Sequence, residues 1–123
     1  MSKQIGIDIV EFEEIRERLS DRFINRILSE QELEKYNQIK NEDRKMSYLA
    51  GRFAAKEAVI KALGKFLTDK PTLPEIQIIN DSTGQPELCL TEKISDKVKA
   101  TCFISITHEK SVAAAVAIFS EEK

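Results

Sequence analysis

The chain has 123 residues, 41% apolar and 33% charged, enough apolar material for one filled core and too much for a disordered segment. Nineteen Lys and Arg against twenty-one Asp and Glu leave a net charge of −2, so the overall balance argues against duplex nucleic acid as a partner and any basic surface must be local. No apolar run approaches the roughly 20 residues of a membrane span, and the start MSKQIGIDIV is too short in apolar residues for a signal peptide, so a cytoplasmic address is expected.

Taken in chain order, residues 5–10 read as a strand apolar on both faces, interrupted by Asp8. Residues 11–28 read as one or two short helices in which Ile15, Leu19, Phe23 and Ile27 return every four residues. Arg18, Arg22 and Arg26 repeat at the same spacing. If that stretch is helical they form a cationic stripe, partly neutralised by Glu14, Glu17 and Asp21 or available to an acidic partner protein. Ser29 and Glu32 have capping-box spacing, so a helix starts there and fades near Asn37.

Residues 48–63 form the central helix, with Gly64 suited to a left-handed exit. After Pro74 the composition turns to β: residues 75–80 and 86–90 are strands joined by Asp81-Ser82-Thr83-Gly84-Gln85, which is hairpin chemistry. A short helix over 91–99 precedes a second strand pair, 101–107 and 112–119. The result is an α+β layout, mostly antiparallel, in one domain over residues 1–123. Cys89 and Cys102 lie in strand-like runs without metal-ligand spacing and are expected to be buried free thiols.

Two carboxylates stand out. Glu57 projects among Ala50, Phe53, Ala54 and Ile60 on a helix whose far side, Tyr48, Ala55, Val59 and Leu63, is also apolar, so it should be buried and matched by a cation. Asp8 stands between Ile7 and Ile9, with Gly6 on the same side of the pleat offering no side chain to crowd an approaching group. It either pairs with an Arg, caps the next helix turn, or joins Glu57 in a partial shell for Mg²⁺, whose other positions are filled by water and phosphate oxygens.

Arg44, Arg52, Lys56 and Lys61 accompany the helix. A Glu57-to-Lys61 pair would account for one of them and leave Arg52 and Lys56 unexplained, whereas a polyphosphate beside a carboxylate-held ion needs such cations. No Walker loop is present. His108 is the only histidine, at a strand end, which makes zinc or a serine triad a poor fit and leaves phosphate contact as its functional reading.

Gly6-Ile7-Asp8, then Gly51-Arg52-Phe53-Ala54-Ala55-Lys56-Glu57-Ala58 with Lys61, then Ile104-Ser105-Ile106-Thr107-His108, resemble the holo-acyl-carrier-protein synthases, the small single-domain type of 4′-phosphopantetheinyl transferase. The three blocks occur in the family's order and span nearly the whole chain. The resemblance implies the family's fold, an antiparallel sheet packed on a long central helix, in a homotrimer with active sites at subunit interfaces. It implies transfer of 4′-phosphopantetheine from coenzyme A to a serine of apo acyl carrier protein, with release of adenosine 3′,5′-bisphosphate, in support of fatty acid biosynthesis.

By the same resemblance Asp8 and Glu57 hold Mg²⁺, with Mn²⁺ an alternative, and act with Lys61 in catalysis. Arg44, Arg52, Lys56, Lys61, Gly64, Thr107 and His108 would line the coenzyme A nucleotide and its phosphates. The family's docking helix corresponds to the region of Arg18, Arg22 and Arg26, where Glu11, Glu13, Glu14 and Glu17 crowd the start. The serine proton needs an acceptor, and Glu57, directly or through a water of the ion's shell, is the candidate. Two rivals share these residues: a non-catalytic oligomer that binds a nucleotide or acidic partner, and a Mg²⁺-dependent phosphohydrolase that consumes coenzyme A without an acceptor protein.

Overall fold

The structure, a computed structural model, describes residues 2–121. In chain order it contains β1 (Lys3–Glu11), α1 (Phe12–Arg18), α2 (Asp21–Ile27), α3 (Glu30–Gln38), α4 (Glu42–Leu63), a 3-10 turn (Leu73–Glu75), β2 (Ile76–Asn80), β3 (Pro86–Leu90), α5 (Glu92–Ser95), β4 (Ala100–His108) and β5 (Val112–Glu121).

Side-chain caps explain where the helices begin. Ser20 Oγ accepts from Phe23 N at 3.1 Å, so the stretch 11–28 divides into two helices and Arg18 is separated from Arg22 and Arg26. Ser29 and Glu32 close the expected capping box, with Glu32 Oε1 accepting from Ser29 N at 2.8 Å. Asn41 Oδ1 accepts from Arg44 N at 3.0 Å and starts α4 six residues before Tyr48, where the polar first turns carry no apolar period to read. At the other end Gly64 is right-handed (φ −53°, ψ −30°), not left-handed, and the chain turns on through Phe66 N donating to Leu63 O at 2.8 Å. Among the described residues only Gly84 has positive φ, +90°, in the β2–β3 hairpin where Asp81 Oδ1 accepts from Thr83 N and Gln85 N.

The strands pair antiparallel in two sheets, β1-β5-β4 and β2-β3, rather than one. In the larger sheet Asp8 stands opposite Ala115, which stands opposite Ile106, and Val10, Ala113 and His108 form the next row on the same face. Helix α4 lies across that face. A Cβ on Gly6 would come 1.9 Å from the carbonyl oxygen of Ala58, and one on Gly51 would come 3.2 Å from Ile106 Cγ2, so the helix runs from β4 to β1 in close contact. Ala113, Ala115 and Ala117 of β5, all buried, keep the floor beneath it flat.

The opposite face of the sheet is bare. Ile5, Ile7 and Ile9 are 66–67% exposed and Phe103 59%, so β1 is covered on one side only, contrary to the two-sided burial its apolar run implies. Cys102 is half-buried, and burial pushes its thiol up to about 12, whereas Cys89 on the outer side of β3 is exposed instead of buried.

A Gly6→Ala variant should lose about 3 kcal/mol or more of unfolding free energy in a denaturant titration, because the obstacle is helix backbone that cannot rotate away. With a maleimide at pH 8 and mass-spectrometric readout, Cys89 should label in the folded protein and Cys102 only after denaturation.

Candidate active site

Helix α4 carries its charges on two faces. On the inner one, Lys56 has no exposed surface: its Nζ donates to Ile27 O at 2.6 Å, to Leu73 O at 3.1 Å and to Glu32 Oε1. Glu32, also buried, uses its second oxygen to accept from Ile78 N at 2.8 Å. Burial pushes the Lys56 ammonium below the usual lysine range while Glu32 opposes that shift. Arg52, one turn earlier, donates Nε to Ile78 O at 3.2 Å and a terminal nitrogen to Asn80 Oδ1 at 3.1 Å, and its guanidinium lies 4.6 Å from the centre of the Tyr48 ring. Both cations therefore face α3 and β2. Lys56 in particular has no free donor for a phosphate.

Glu57 lies on the other face. The expectation of a carboxylate sealed in an all-apolar helix is overturned, because Phe53, Glu57, Ile60 and Lys61 form a narrow accessible stripe and the sealed charge is Lys56. Among the described residues no hydrogen bond or ion pair reaches the Glu57 side chain. Lys61, one turn on, does not pair with it. Its Nζ contacts Asp8 Oδ1 at 3.0 Å and Ile7 O at 2.9 Å, so the partner of Asp8 is a lysine from α4 and not an arginine. Because helical side chains lean toward the N-terminus, Lys61 reaches back over the turn that carries Glu57.

Whether these residues suit a divalent ion can be judged from their donors. Among the described residues no group of three or more His, Cys, Asp and Glu side chains could hold a metal, so an all-protein cage is excluded there. Asp8 keeps its second oxygen outside the pair with Lys61, and Glu57 keeps both. That fits the one or two carboxylates with which Mg²⁺ is held when water and phosphate oxygens complete the shell.

The remaining candidates lie elsewhere. Arg44 and His108 share a cleft of about 470 Å³ with Phe12, Ser47 and Lys110, at the N-terminal end of α4, and exposed Thr107 precedes His108 on β4. Glu57 is 13 residues further along the same helix, about 20 Å at 1.5 Å per residue. Gly64 borders a separate hollow with Ile60, Leu67 and Pro71. Arg18 stacks 4.5 Å from the Phe23 ring centre, while Arg22 and Arg26 are exposed on α2. Among the described residues none of the three forms an ion pair with Glu14, Glu17 or Asp21; the ion pair in this stretch joins Arg16 to Glu13 at 3.3 Å. Glu32 and Asn80 were missed by sequence reasoning: the capping box made Glu32 look fully used, although Leu49, Val59 and Leu63, at −7, +3 and +7 from Lys56, mark the buried face where its partner must lie.

Residues 4–117 match the 4′-phosphopantetheinyl transferase superfamily. The chain belongs to that superfamily. It is an enzyme of the phosphopantetheinyl transferase class, and its relatives are holo-[acyl-carrier-protein] synthases. That of Streptococcus agalactiae serotype III (strain NEM316) is 42% identical, with 96% of each chain covered. Among solved structures, the synthase of Bacillus anthracis str. Ames in complex with CoA (3′,5′-ADP) superposes with a TM-score of 0.83 at 34% identity, covering 97% of this chain and 96% of that one. The Helicobacter pylori synthase in complex with coenzyme A gives 0.79 at 31% identity, covering 94% and 99%. A phosphopantetheinyl transferase of this size thus folds on the frame described above.

Since Lys61 is 53% exposed, its ion pair with Asp8 contributes little to stability. Lys61→Met should change the unfolding free energy by no more than about 1 kcal/mol in urea titrations, leaving any loss of activity attributable to chemistry.

Proposed function

We propose that this phosphopantetheinyl transferase moves 4′-phosphopantetheine from coenzyme A to a serine of apo acyl carrier protein, releases adenosine 3′,5′-bisphosphate, and supports fatty acid biosynthesis in the cytoplasm. The observation that carries the reading is the meeting of Asp8 and Lys61 beside the unpartnered Glu57 on the accessible stripe of α4. The names of the relatives and the coenzyme A in two of the related structures point the same way.

Asp8 and Glu57 would hold Mg²⁺, or Mn²⁺ in its place, and the ion would supply charge neutralisation to the coenzyme A diphosphate. The rest falls to side chains. Lys61, half exposed in its pair with Asp8, neutralises a phosphate oxygen as the serine oxygen bonds to the pantetheine-side phosphorus and the bond to the nucleotide phosphate breaks. Glu57, directly or through a water, takes the serine proton. Arg44, Thr107 and His108 bind the nucleotide end, and exposed Arg22 and Arg26, together with Arg18 at the end of α1 stacked on Phe23, meet the acidic carrier protein. Arg52 and Gly64 contribute from the second face of α4 and from the turn that follows it.

The assembly belongs to the same proposal. Ile5, Ile7, Ile9 and Phe103 make the outer face of the three-stranded sheet apolar, and β1 and β4 are its free edges. A closed homotrimer would bury that face at its centre and set the β4 edge of one copy beside the β1 edge of the next. The Arg44–His108 cleft of one copy would then face the Asp8–Lys61 end of another, which answers the roughly 20 Å between Arg44 and Glu57 along α4 within a chain.

Incubation with coenzyme A, Mg²⁺ and apo carrier protein should add one phosphopantetheine mass to the carrier, with nothing consumed when the carrier is omitted. Nucleotide release without the carrier would instead indicate a hydrolase. Asp8→Asn and Glu57→Gln should each lower turnover by at least about 10²-fold with melting temperatures unchanged within a few degrees. Ile7→Glu should convert the trimer to monomer in light scattering and remove activity with it; a fully active monomer would refute the shared site.

A further inference from the structure

One residue before Glu57 lies a charged side chain with no access to solvent. We propose that Lys56 is a positioning residue for the transfer, not a contact to coenzyme A: its buried pair with Glu32 sets the roll of α4 and hence where Glu57 points. The inference rests on the function proposed above.

An ammonium has three donors, and those of Lys56 are taken by oxygens from three segments: Ile27 O at the end of α2, Glu32 on α3, and Leu73 O in the 3-10 turn. Glu32 extends the junction, since it also accepts from Ser29 N and from Ile78 N on β2. Turning Lys56 outward to a phosphate would leave Glu32 charged, buried and without its cation, along with two carbonyls. The resting place of this lysine is therefore its working place.

Toward the sheet the packing face of α4 is nearly smooth, and its large buried side chains, Leu49, Val59 and Leu63, lie on the same side as Lys56. Ala50, Ala54, Ala58 and Ala62 lie over Gly6 and the row Ala113, Ala115 and Ala117, so few large ridges interlock to resist rotation about the helix axis. A roll of about 20° carries a group roughly 6 Å from the axis through about 2 Å. Displacements of that order in a reacting group cost around 10²-fold in rate. Residues 56 and 57 are 100° apart on the helix, so whatever holds the first also aims the second.

The test uses Lys56→Met, Glu32→Gln and the double variant Glu32→Gln/Lys56→Met in the full-length protein. Kinetics are read with coenzyme A and with 3′-dephospho-coenzyme A, and amide hydrogen exchange over residues 53–61 is followed without substrate. Each single variant should lose at least tenfold in kcat, keep KM for coenzyme A within about threefold, and leave the preference between the two substrates unchanged; Glu32→Gln must share this split although it lies on another helix. The double variant, free of any unpaired buried charge but also without the joint, should stay at least tenfold below wild type in kcat, and a double variant with wild-type kcat would overturn the proposal.

A tenfold or greater rise in KM for coenzyme A in both Lys56 variants overturns the proposal, as does a folded Glu32→Gln with wild-type kcat. If Lys56→Met alone does not fold, KM of the double variant decides by the same criterion. Exchange over 53–61 should quicken in the variants, and unchanged protection would also overturn the anchor. Failure of the wild type to modify carrier protein would refute the transferase reading alone, leaving the exchange experiment to judge the anchor.

Discussion

A helix can approach a sheet only as closely as the side chains between them permit, and here they have almost been removed. Gly6 leaves no room for a Cβ against the Ala58 carbonyl, and three alanines of β5 form the rest of the floor. This close contact brings the α4 turn of Glu57 and Lys61 to the strand that carries Asp8. It also means that the two strands carrying the candidate residues Asp8 and His108, β1 and β4, are contacted by one helix, with its C-terminal half over the first and its N-terminal half over the second.

Cations on α4 do two kinds of work, divided by solvent. Lys61 is half exposed and bound to an oxygen of Asp8 that a ligand could compete for at small cost, as expected of an ion pair in contact with water. Lys56 is closed off with all its donors engaged, and removing either member of its pair would leave a charge where water cannot follow. The same residue type, five positions apart, is in one place half exposed in a single ion pair and in the other sealed with every donor engaged. Arg52 stands between these extremes, buried but ending on a side-chain amide, Asn80, at the edge of the hairpin.

The apolar outer face of the sheet bears on both fold and chemistry. A lone chain leaves three isoleucines of β1 and Phe103 of β4 in water, at an unfavourable free energy of the order of 25 cal/mol per Å² of apolar surface. The trimer proposed above would cover them and would also bring together the free edges of the sheet, β1 and β4. In that trimer burial of the sheet and completion of the site would be one event, which ties stability to activity.

Much of the fold was legible from residues alone. The Ser29–Glu32 capping box, the Asp81–Gln85 turn and the strand pair around His108 are local devices, decided by atoms a few positions apart, and each forms as expected. The start of α4 at Asn41 was hidden because a polar helical turn has no hydrophobic period, and Gly64 turned out right-handed because the chain continues turning after it. The family motifs were likewise readable, and with them the enzyme class.

Only the tertiary structure decided which charge of the Lys56-Glu57 pair is buried. Periodicity showed that a helix with apolar residues on every side must enclose something charged, but the choice depends on which flank is covered by α3 and β2, and those lie 24 and 22 residues away from Lys56 through Glu32 and Ile78. Nor could spacing reveal that Lys61 reaches Asp8 across 53 residues of chain instead of Glu57 one turn away. Local hydrogen-bond geometry is written in neighbouring residues; the burial and partner of a charge depend on what the rest of the chain packs against it.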